Sequence, residues 1–422
     1  MRKQNTPVLI DALRSAGDCA PETLKRLSEE LSLPLSHIAG VAGFYSEFHG
    51  MSDGEADLSF AQGGVAGPMF APADYDGIFS LAAAPEKILS RLRALSVLGR
   101  GGAAFPVADK WETVAKSGAK QKYIVCNANE GEGETYKDMK LMLRAPHAIL
   151  EGVILCAAAT GADKAFICVR SEYPKCCESL EKELRNVKTD GLEIEVVRCA
   201  GAYVCGEETA LLRFLEGQRG EPALKPPYPG ERGLHSCPTV VSNAESFAAA
   251  AAALLTGEVT KLFTVSGCVE RPGVYELPYG VTVRKLAELA GAGANIKGFR
   301  LGGGATGRIF GTDALDTPLT PELGLGTASV MFFDGAASAR ELCAESAAFL
   351  ARQSCGKCVP CRLGARELAR LLKNGGSASE IAGLCRYLKT TSRCALGQSI
   401  PNCVESALSA FPEDFDAEGG AR

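Results

Sequence analysis

Three cysteines, Cys355, Cys358 and Cys361, with two residues between each, constrain this chain more than any other feature. A run of that spacing lets one short loop wrap three corners of an iron-sulfur cube, and a distant fourth thiolate must then close the last iron. Cys394, in the string Thr391-Ser392-Arg393-Cys394-Ala395-Leu396-Gly397, is the candidate for that position. The C-terminal region is therefore expected to fold around an inorganic centre. Structural zinc is the alternative, but its ligands usually come as two separated pairs, and no histidine lies near this run. Cys385 and Cys403 flank Cys394, and either remains an alternative fourth ligand.

Seventeen cysteines in 422 residues, several inside apolar segments such as those around Cys156 and Cys168, do not form the pattern of a small disulfide framework. A reducing cytoplasm is the expected location. The net charge of -5, with no basic stripe, argues against a nucleic-acid binder, so the expected partners are proteins. The longest apolar stretches, 148–162 and 246–256, are too short to span a bilayer, and the first contains Glu151; no direct membrane insertion is expected. Residues 1–7 carry charge with no apolar core behind them, which predicts no targeting peptide.

Periodicity divides the chain into five expected regions. Residues 1–50 read as helical, with Leu24, Leu27 and Leu31 at helical spacing and Pro21 suited to a first turn. Residues 51–80, with Gly63-Gly64 and Gly67-Pro68, read as a linker. Residues 81–257 alternate helical segments with short apolar runs such as 123–126 and 165–169, the pattern of an α/β layered domain. Residues 258–335 place β-rich runs at 262–265 and 330–333 around one helix at 283–289, a small α+β unit. Residues 336–422 return to helix and hold the cysteine run.

Within the large domain, Gly99-Arg100-Gly101-Gly102-Ala103-Ala104-Phe105-Pro106 exposes backbone N–H groups to which a phosphate or a flavin edge could come close. It matches part of a dinucleotide fingerprint, but that fingerprint follows a strand, and residues 84–97 have helical periodicity. A standard Rossmann reading is therefore disfavoured. Cys126-Asn127-Ala128-Asn129-Glu130-Gly131-Glu132 follows an expected strand, where amides and carboxylates suit a flavin ring and a nicotinamide. Gly206-Glu207-Glu208-Thr209 opens a helix; taken alone, such an acidic pair is an ordinary partner for the helix dipole.

Together these strings resemble a known family. GRGGAAFP, NANEGEGETYKD, GAYVCGEETALL, GEPALKPPYP, PTVVSNAES, SCGKCVPCR and TSRCALG run in the order found in the NADH-binding, FMN-carrying flavoprotein subunit of respiratory complex I and its relatives in soluble NAD-linked hydrogenases and formate dehydrogenases. The resemblance covers residues 81 to the C-terminus. It implies an α/β fold: a Rossmann-like FMN/NADH domain, a ubiquitin-like β-grasp (SLBB) domain, and a C-terminal helical bundle carrying a 4Fe-4S cluster. The N-terminal helices, through Val41-Ala42-Gly43-Phe44-Tyr45-Ser46, resemble the start of the thioredoxin-like 2Fe-2S subunit and imply a docking remnant.

Carried over position by position, the resemblance places Gly99, Arg100, Gly101, Gly102, Lys110, Asn127 and Glu130 around FMN, with Tyr203, Gly206, Glu207, Asn243 and Ser246 closing the site. Phe105, Glu132, Glu208, Lys225 and Tyr228 would line the NADH pocket, Glu208 favouring NADH over NADPH by accepting from the adenosine ribose. Glu130 and Glu132 are the implied catalytic residues. Asn129 and Ser242 stand at cofactor-binding positions where the family usually has Asp and a paired Asn. Thr113 replaces an aromatic, Tyr228 a Phe, and Glu132-Gly133-Glu134-Thr135 the usual Glu-Pro-Gly-Thr. The implied activity is hydride exchange between NAD(H) and FMN, then single-electron transfer through the cluster to partners: a 2Fe-2S thioredoxin-like subunit and a catalytic iron-sulfur subunit. Two other readings stay open at this point: a cluster-bearing scaffold that has lost flavin, and a ligand-binding module around Gly302-Gly303-Gly304.

Overall fold

The computed structural model describes residues 8–42, 44–45 and 63–415. Its centre is a parallel sheet of four strands, β1 (Tyr123–Ala128), β2 (Lys164–Arg170), β3 (Glu193–Cys199) and β4 (Thr239–Asn243), in the order β3-β2-β1-β4. β1 and β2 read as nearly continuous apolar runs because helices cover both faces. On one face, helices Pro146–Thr160 and Ala244–Thr256 pack against each other. Their contact is close enough that a Cβ on Gly152 would lie 2.1 Å from the Phe247 carbonyl oxygen. The alanine run 248–253 permits this, and both helices are buried nearly all round. Among the described residues no single helix is long and apolar enough to cross a membrane.

The chain leaves β1 toward β2 on one side and returns to place β4 on the other. Strand order thus reverses beside β1, and in open parallel sheets the crevice beyond the carboxyl ends at such a reversal is where ligands bind. The loops after β1, β3 and β4 carry three of the motifs quoted above.

A second sheet holds β5 (Thr260–Gly267), β6 (Gly273–Pro278), β7 (Ile296–Leu301), β8 (Arg308–Gly311) and β9 (Ser329–Asp334), in the order β6-β5-β9-β7-β8. β5 and β9 run parallel at its heart and the other pairs are antiparallel. Helix Val283–Ala290 buries Val283, Leu286 and Ala290 in this sheet's apolar cluster. Helices Ala339–Gln353, Ala365–Lys373, Ala378–Thr391 and Pro401–Ala410 form the C-terminal layer.

The segment read as a linker differs in detail from expectation. The described part of the 51–80 segment is packed: Glu276 N–H donates to the Val65 carbonyl (2.8 Å), Met69 is buried, and helix Tyr75–Ala82 begins inside it. Gly and Pro there mark close approach to β6, where Glu276 accepts from the N–H groups of Gly67 (2.8 Å) and Met69 (3.0 Å). The N-terminal helices Val8–Ala16, Pro21–Leu31 and Leu35–Ala42 join the apolar cluster of Phe214, Cys199 and the C-terminal layer. Arg14 donates to the Arg198 carbonyl (2.7 Å) and Tyr45 to that of Gln218 (2.8 Å). Of the 41–46 motif, Gly43 and Ser46 lie outside the described residues.

Candidate functional site

The glycine-rich loop lies between helices Pro85–Ala94 and Val107–Ala115, so a helix precedes it, as periodicity predicts. Gly99 N–H donates to the Phe105 carbonyl (2.8 Å), which closes the loop on itself. Arg100 N–H donates to Ser246 Oγ (2.8 Å), and a Cβ on Gly101 would meet Asn243 Cβ at 3.4 Å. These contacts press the loop onto the end of β4. The Arg100 side chain is 1% exposed and turns inward, donating to the Thr260 carbonyl (2.7 Å) and stacking over Tyr279. It ties the loop to the second sheet, a role its place in the motif did not suggest.

Asn127 links the other two loops: its Nδ2 donates to the Gly206 carbonyl (2.8 Å) and its Oδ1 accepts from Asn129 N–H (3.1 Å). Asn129, 4% exposed, keeps a buried Oδ1 that has no partner within the protein. An orphaned acceptor is costly unless something donates to it. At the carboxyl edge of β1 that observation fits a flavin ring edge, which carries an N–H donor. Ser242 is buried near the end of β4.

The implied catalytic carboxylates are both engaged. Glu130 accepts from Asp138 N–H (3.0 Å) and Met139 N–H (3.1 Å) at the start of helix Lys137–Arg144. Burial, with Asp138 nearby, pushes its carboxyl up to about 8. Glu132 reaches the second sheet: Oε1 accepts from the N–H groups of Ala305 (2.8 Å) and Thr306 (2.9 Å), and Oε2 from Tyr203 OH (2.5 Å). A Cβ on Gly303 would lie 2.3 Å from Glu132 Cγ, and Gly303 has φ 112°, so only glycine fits there. The Gly302–Gly304 turn is thus a seat for Glu132. Burial raises the Glu132 carboxyl, although Tyr203 and the backbone donors oppose it.

At the outer rim, Glu207 caps helix Glu208–Leu215, accepting from the N–H groups of Thr209 (2.9 Å) and Ala210 (3.1 Å). Lys225 bridges Glu207 (2.8 Å) and Glu208 (2.6 Å), and Lys110 stands 3.6 Å from Glu208 while donating to the Val241 carbonyl (2.8 Å). Burial alone would lower the Lys225 ammonium, but hydrogen bonds to the two glutamates outweigh it and raise the group. Phe105 and Tyr228 are each about half exposed and offer aromatic faces to solvent.

Beneath the crevice lies a charged network that the sequence reading missed. Lys137 donates to Asp138 Oδ1 (2.7 Å) and Asn243 Oδ1 (2.9 Å) and pairs with Glu245 (3.2 Å). Asn243 Nδ2 donates to Asp138 Oδ2 (2.6 Å), and Lys261 donates to both Glu245 oxygens (2.9 and 2.6 Å). All of these except Asn243 are buried. Lys137 and Asp138 lie within one quoted string and Glu245 within another, which was the available signal; Lys261 had none. A second missed pair joins Glu134 to Arg300 of β7, with Arg300 Nε 3.2 Å from Glu134 Oε2.

Cys355, Cys358, Cys361 and Cys394 line one cavity together with Val204, Pro222, Lys357, Arg393 and Leu396. Among the described residues no three His, Cys, Asp or Glu side chains are grouped to hold a single metal ion. Four cysteines and no histidine line this cavity, a donor set that suits an iron-sulfur cluster. Backbone N–H groups point at the sulfurs, from Lys357 to Cys355 and from Leu396 and Gly397 to Cys394. Burial raises the Cys355 and Cys394 thiols, and that of Cys361 to about 11. Cys385 and Cys403, the alternative fourth ligands, do not line the cavity and are buried in the helical layer.

One loop joins the two places. Tyr203 N–H donates to Gln353 (3.1 Å), just before the cysteine run, and its ring meets Phe349 edge-on. Val204 lines the cysteine cavity, and Gly206 to Glu208 border the crevice.

Comparison with known proteins agrees with this geometry. Residues 92–252 match the Nuo51 FMN-binding domain, and residues 341–418 the NADH-ubiquinone oxidoreductase-F iron-sulfur binding region. The chain is 35% identical to the F subunit of NADH-quinone oxidoreductase from Streptomyces coelicolor, over 81% of this chain and 85% of that one. It is 32% identical to HndC, a subunit of the NADP-reducing hydrogenase of Solidesulfovibrio fructosivorans, over 81% and 78%. Among solved structures it is similar to a chain of an NAD+-reducing [NiFe]-hydrogenase in the H2-reduced state, with TM-score 0.89, 27% identity, and 99% and 94% coverage. The chain therefore belongs to the family of NADH-oxidising subunits, found in complex I and NAD-reducing hydrogenases, that bind FMN and a 4Fe-4S cluster and pass electrons to partner subunits.

Proposed function

We propose that the crevice beyond β1, β3 and β4 holds FMN against NADH, and that Cys355, Cys358, Cys361 and Cys394 hold the 4Fe-4S cluster through which electrons leave. The observation that carries this reading is the 201–208 loop, which borders the crevice at Gly206 and the cysteine cavity at Val204. Bound FMN supplies hydride exchange with NADH and release of electrons one at a time, and the cluster supplies single-electron carriage.

The chain's own residues hold and orient. The Gly99–Gly102 loop and Lys110 suit the FMN phosphate, and Asn127 and Asn129 face the ring. Phe105 and Tyr228 offer stacking faces to an adenine. Glu208 accepts from the adenosine ribose and disfavours the extra phosphate of NADPH. Glu130 and Glu132, both engaged with N–H donors, position the loop between them and are not free bases. Ser246 and Asn243 secure the glycine-rich loop.

Within the larger architecture, residues 258–335 constitute a ubiquitin-like β-grasp (SLBB) unit, supported by the central parallel pair β5 and β9 with one crossing helix. Residues 336–422 form the cluster domain. The N-terminal helices leave Val8 and Leu35 exposed, which supports docking of a 2Fe-2S thioredoxin-like subunit there. Electrons pass on to a catalytic iron-sulfur subunit of a hydrogenase, a formate dehydrogenase or a complex I-like assembly. Seventeen cysteines with no disulfide among them support a reducing cytoplasm as the location.

The test is anaerobic purification of the full chain with measurement of FMN, iron and NADH-dependent dye reduction. Stoichiometric flavin, about four irons per chain and dye reduction are expected. A chain that holds its cluster but neither binds FMN nor reduces dye is a scaffold, and the reading fails.

A further inference from the structure

We propose that Cys343 and Cys403 form a peroxide-responsive dithiol, a site at which this subunit is converted to an internal disulfide. Their sulfurs lie 3.4 Å apart, and both residues are fully buried. Neither belongs to the cavity that holds the cluster ligands. Cys343 sits on helix Ala339–Gln353, which leads into Cys355, and Cys403 on helix Pro401–Ala410, which follows Cys394. The pair therefore brackets all four proposed ligands, and a bond between them would close the cluster domain on itself.

The surroundings favour one sulfur as nucleophile. Cys403 has three polar neighbours: the Cys343 thiol, Ser346 Oγ at 3.9 Å, and the Arg300 guanidinium from β7. Hydrogen bonding from Cys343, with Arg300 and Ser346 also contributing, holds the Cys403 thiol below its ordinary value despite burial. Burial, together with the neighbouring Cys403 sulfur, raises Cys343, so it keeps its proton. The other titratable groups here are Cys385, facing Cys343, and Glu134, which pairs with Arg300 from the far side.

The chemistry balances with hydrogen peroxide as oxidant. The Cys403 thiolate attacks one peroxide oxygen, the O–O bond breaks, and the departing hydroxide takes a proton to leave as water. The resulting sulfenic acid is attacked by the Cys343 sulfur; the S–O bond breaks, and hydroxide leaves with the Cys343 proton as a second water. Two thiols lose two electrons and one peroxide becomes two waters. The sulfurs must close from 3.4 Å to about 2.0 Å. Disulfide formation also withdraws the thiolate from Arg300, whose carboxylate partner, Glu134, lies two residues beyond Glu132.

The experiment uses the full chain with its cofactors bound. It is exposed to hydrogen peroxide, alkylated in denaturant, digested without reduction and mapped by mass spectrometry. The expected result is a peptide pair joining Cys343 to Cys403, two hydrogens lighter than the sum, abolished by dithiothreitol, with Cys176 and Cys177 alkylated as internal controls. In Cys343→Ser, whose hydroxyl keeps a donor beside Cys403 but cannot form a disulfide, the sulfenic acid on Cys403 has no partner and should accumulate as a dimedone adduct. Separate alkylation of the two cysteines after peroxide, cross-links to the cluster cysteines instead, or equal dimedone labelling of wild type and Cys343→Ser would overturn the proposal.

Discussion

Glu134 holds a left-handed backbone, φ 63°, at a position where the family resemblance implies glycine, so a change to glycine looks harmless. The structure predicts the opposite. Relief of the left-handed strain is worth about 1–2 kcal/mol, and the extra freedom of glycine in the unfolded chain takes back about 0.5–1 kcal/mol. Against that small gain stands Arg300, 4% exposed, which would lose its carboxylate and keep Ser346 (3.1 Å) and the Cys403 sulfur. Breaking a buried ion pair from one side costs about 3–5 kcal/mol, and the remaining partners put this case at the low end, about 3 kcal/mol. Glu134→Gly should therefore lose about 2 kcal/mol net. Glu134→Gly/Arg300→Met, which removes both charges, should recover most of the loss. Trp111 is the chain's one tryptophan and is fully buried on helix Val107–Ala115 against Phe247, so its fluorescence during urea unfolding follows the parallel-sheet domain. If Glu134→Gly unfolds at the same or higher urea than the parent, the ion pair contributes nothing and the reasoning is wrong.

Other expectations follow from the same contacts. Cys358→Ser should abolish the reduced-cluster EPR signal while FMN stays bound, because the thiols and the crevice sit in different layers; an undiminished signal would remove Cys358 from the ligand set. Glu208→Gln should raise NADPH use relative to NADH by about tenfold or more, since a charged hydrogen bond is worth about 1.5–3 kcal/mol and Lys110 and Lys225 are left to attract a phosphate; the ratio of kcat/KM values measures it. Glu130 is raised from 4.5 to about 8 in the fold, so between those values the folded chain holds a proton that the unfolded chain releases. Stability should then fall as pH rises through that window, by at most about 1.4 kcal/mol per pH unit. Glu130→Gln should flatten that slope in thermal melts from pH 5 to 8, and identical slopes would refute the assignment.

The chemistry of this protein was legible in its sequence wherever function depends on local spacing. The cysteine run, the glycine-rich loop and the acidic loops are short strings whose meaning survives without coordinates, and their order carried the family. The apolar runs at 123–126, 165–169, 262–265 and 330–333 also fall on β1, β2, β5 and β9, because such runs are local consequences of burial. What tertiary structure alone decided are pairings between residues far apart in the chain. Glu245 meets Lys137 and Lys261, Glu132 sits on the Gly302–Gly304 turn, and Cys343 touches Cys403. Arg100 shows the limit most plainly. The resemblance implies that it borders the cofactor, and its side chain turns inward to Thr260 and Tyr279, since a buried guanidinium goes where carbonyls and aromatic faces converge, and only the packing of two sheets determines where that is.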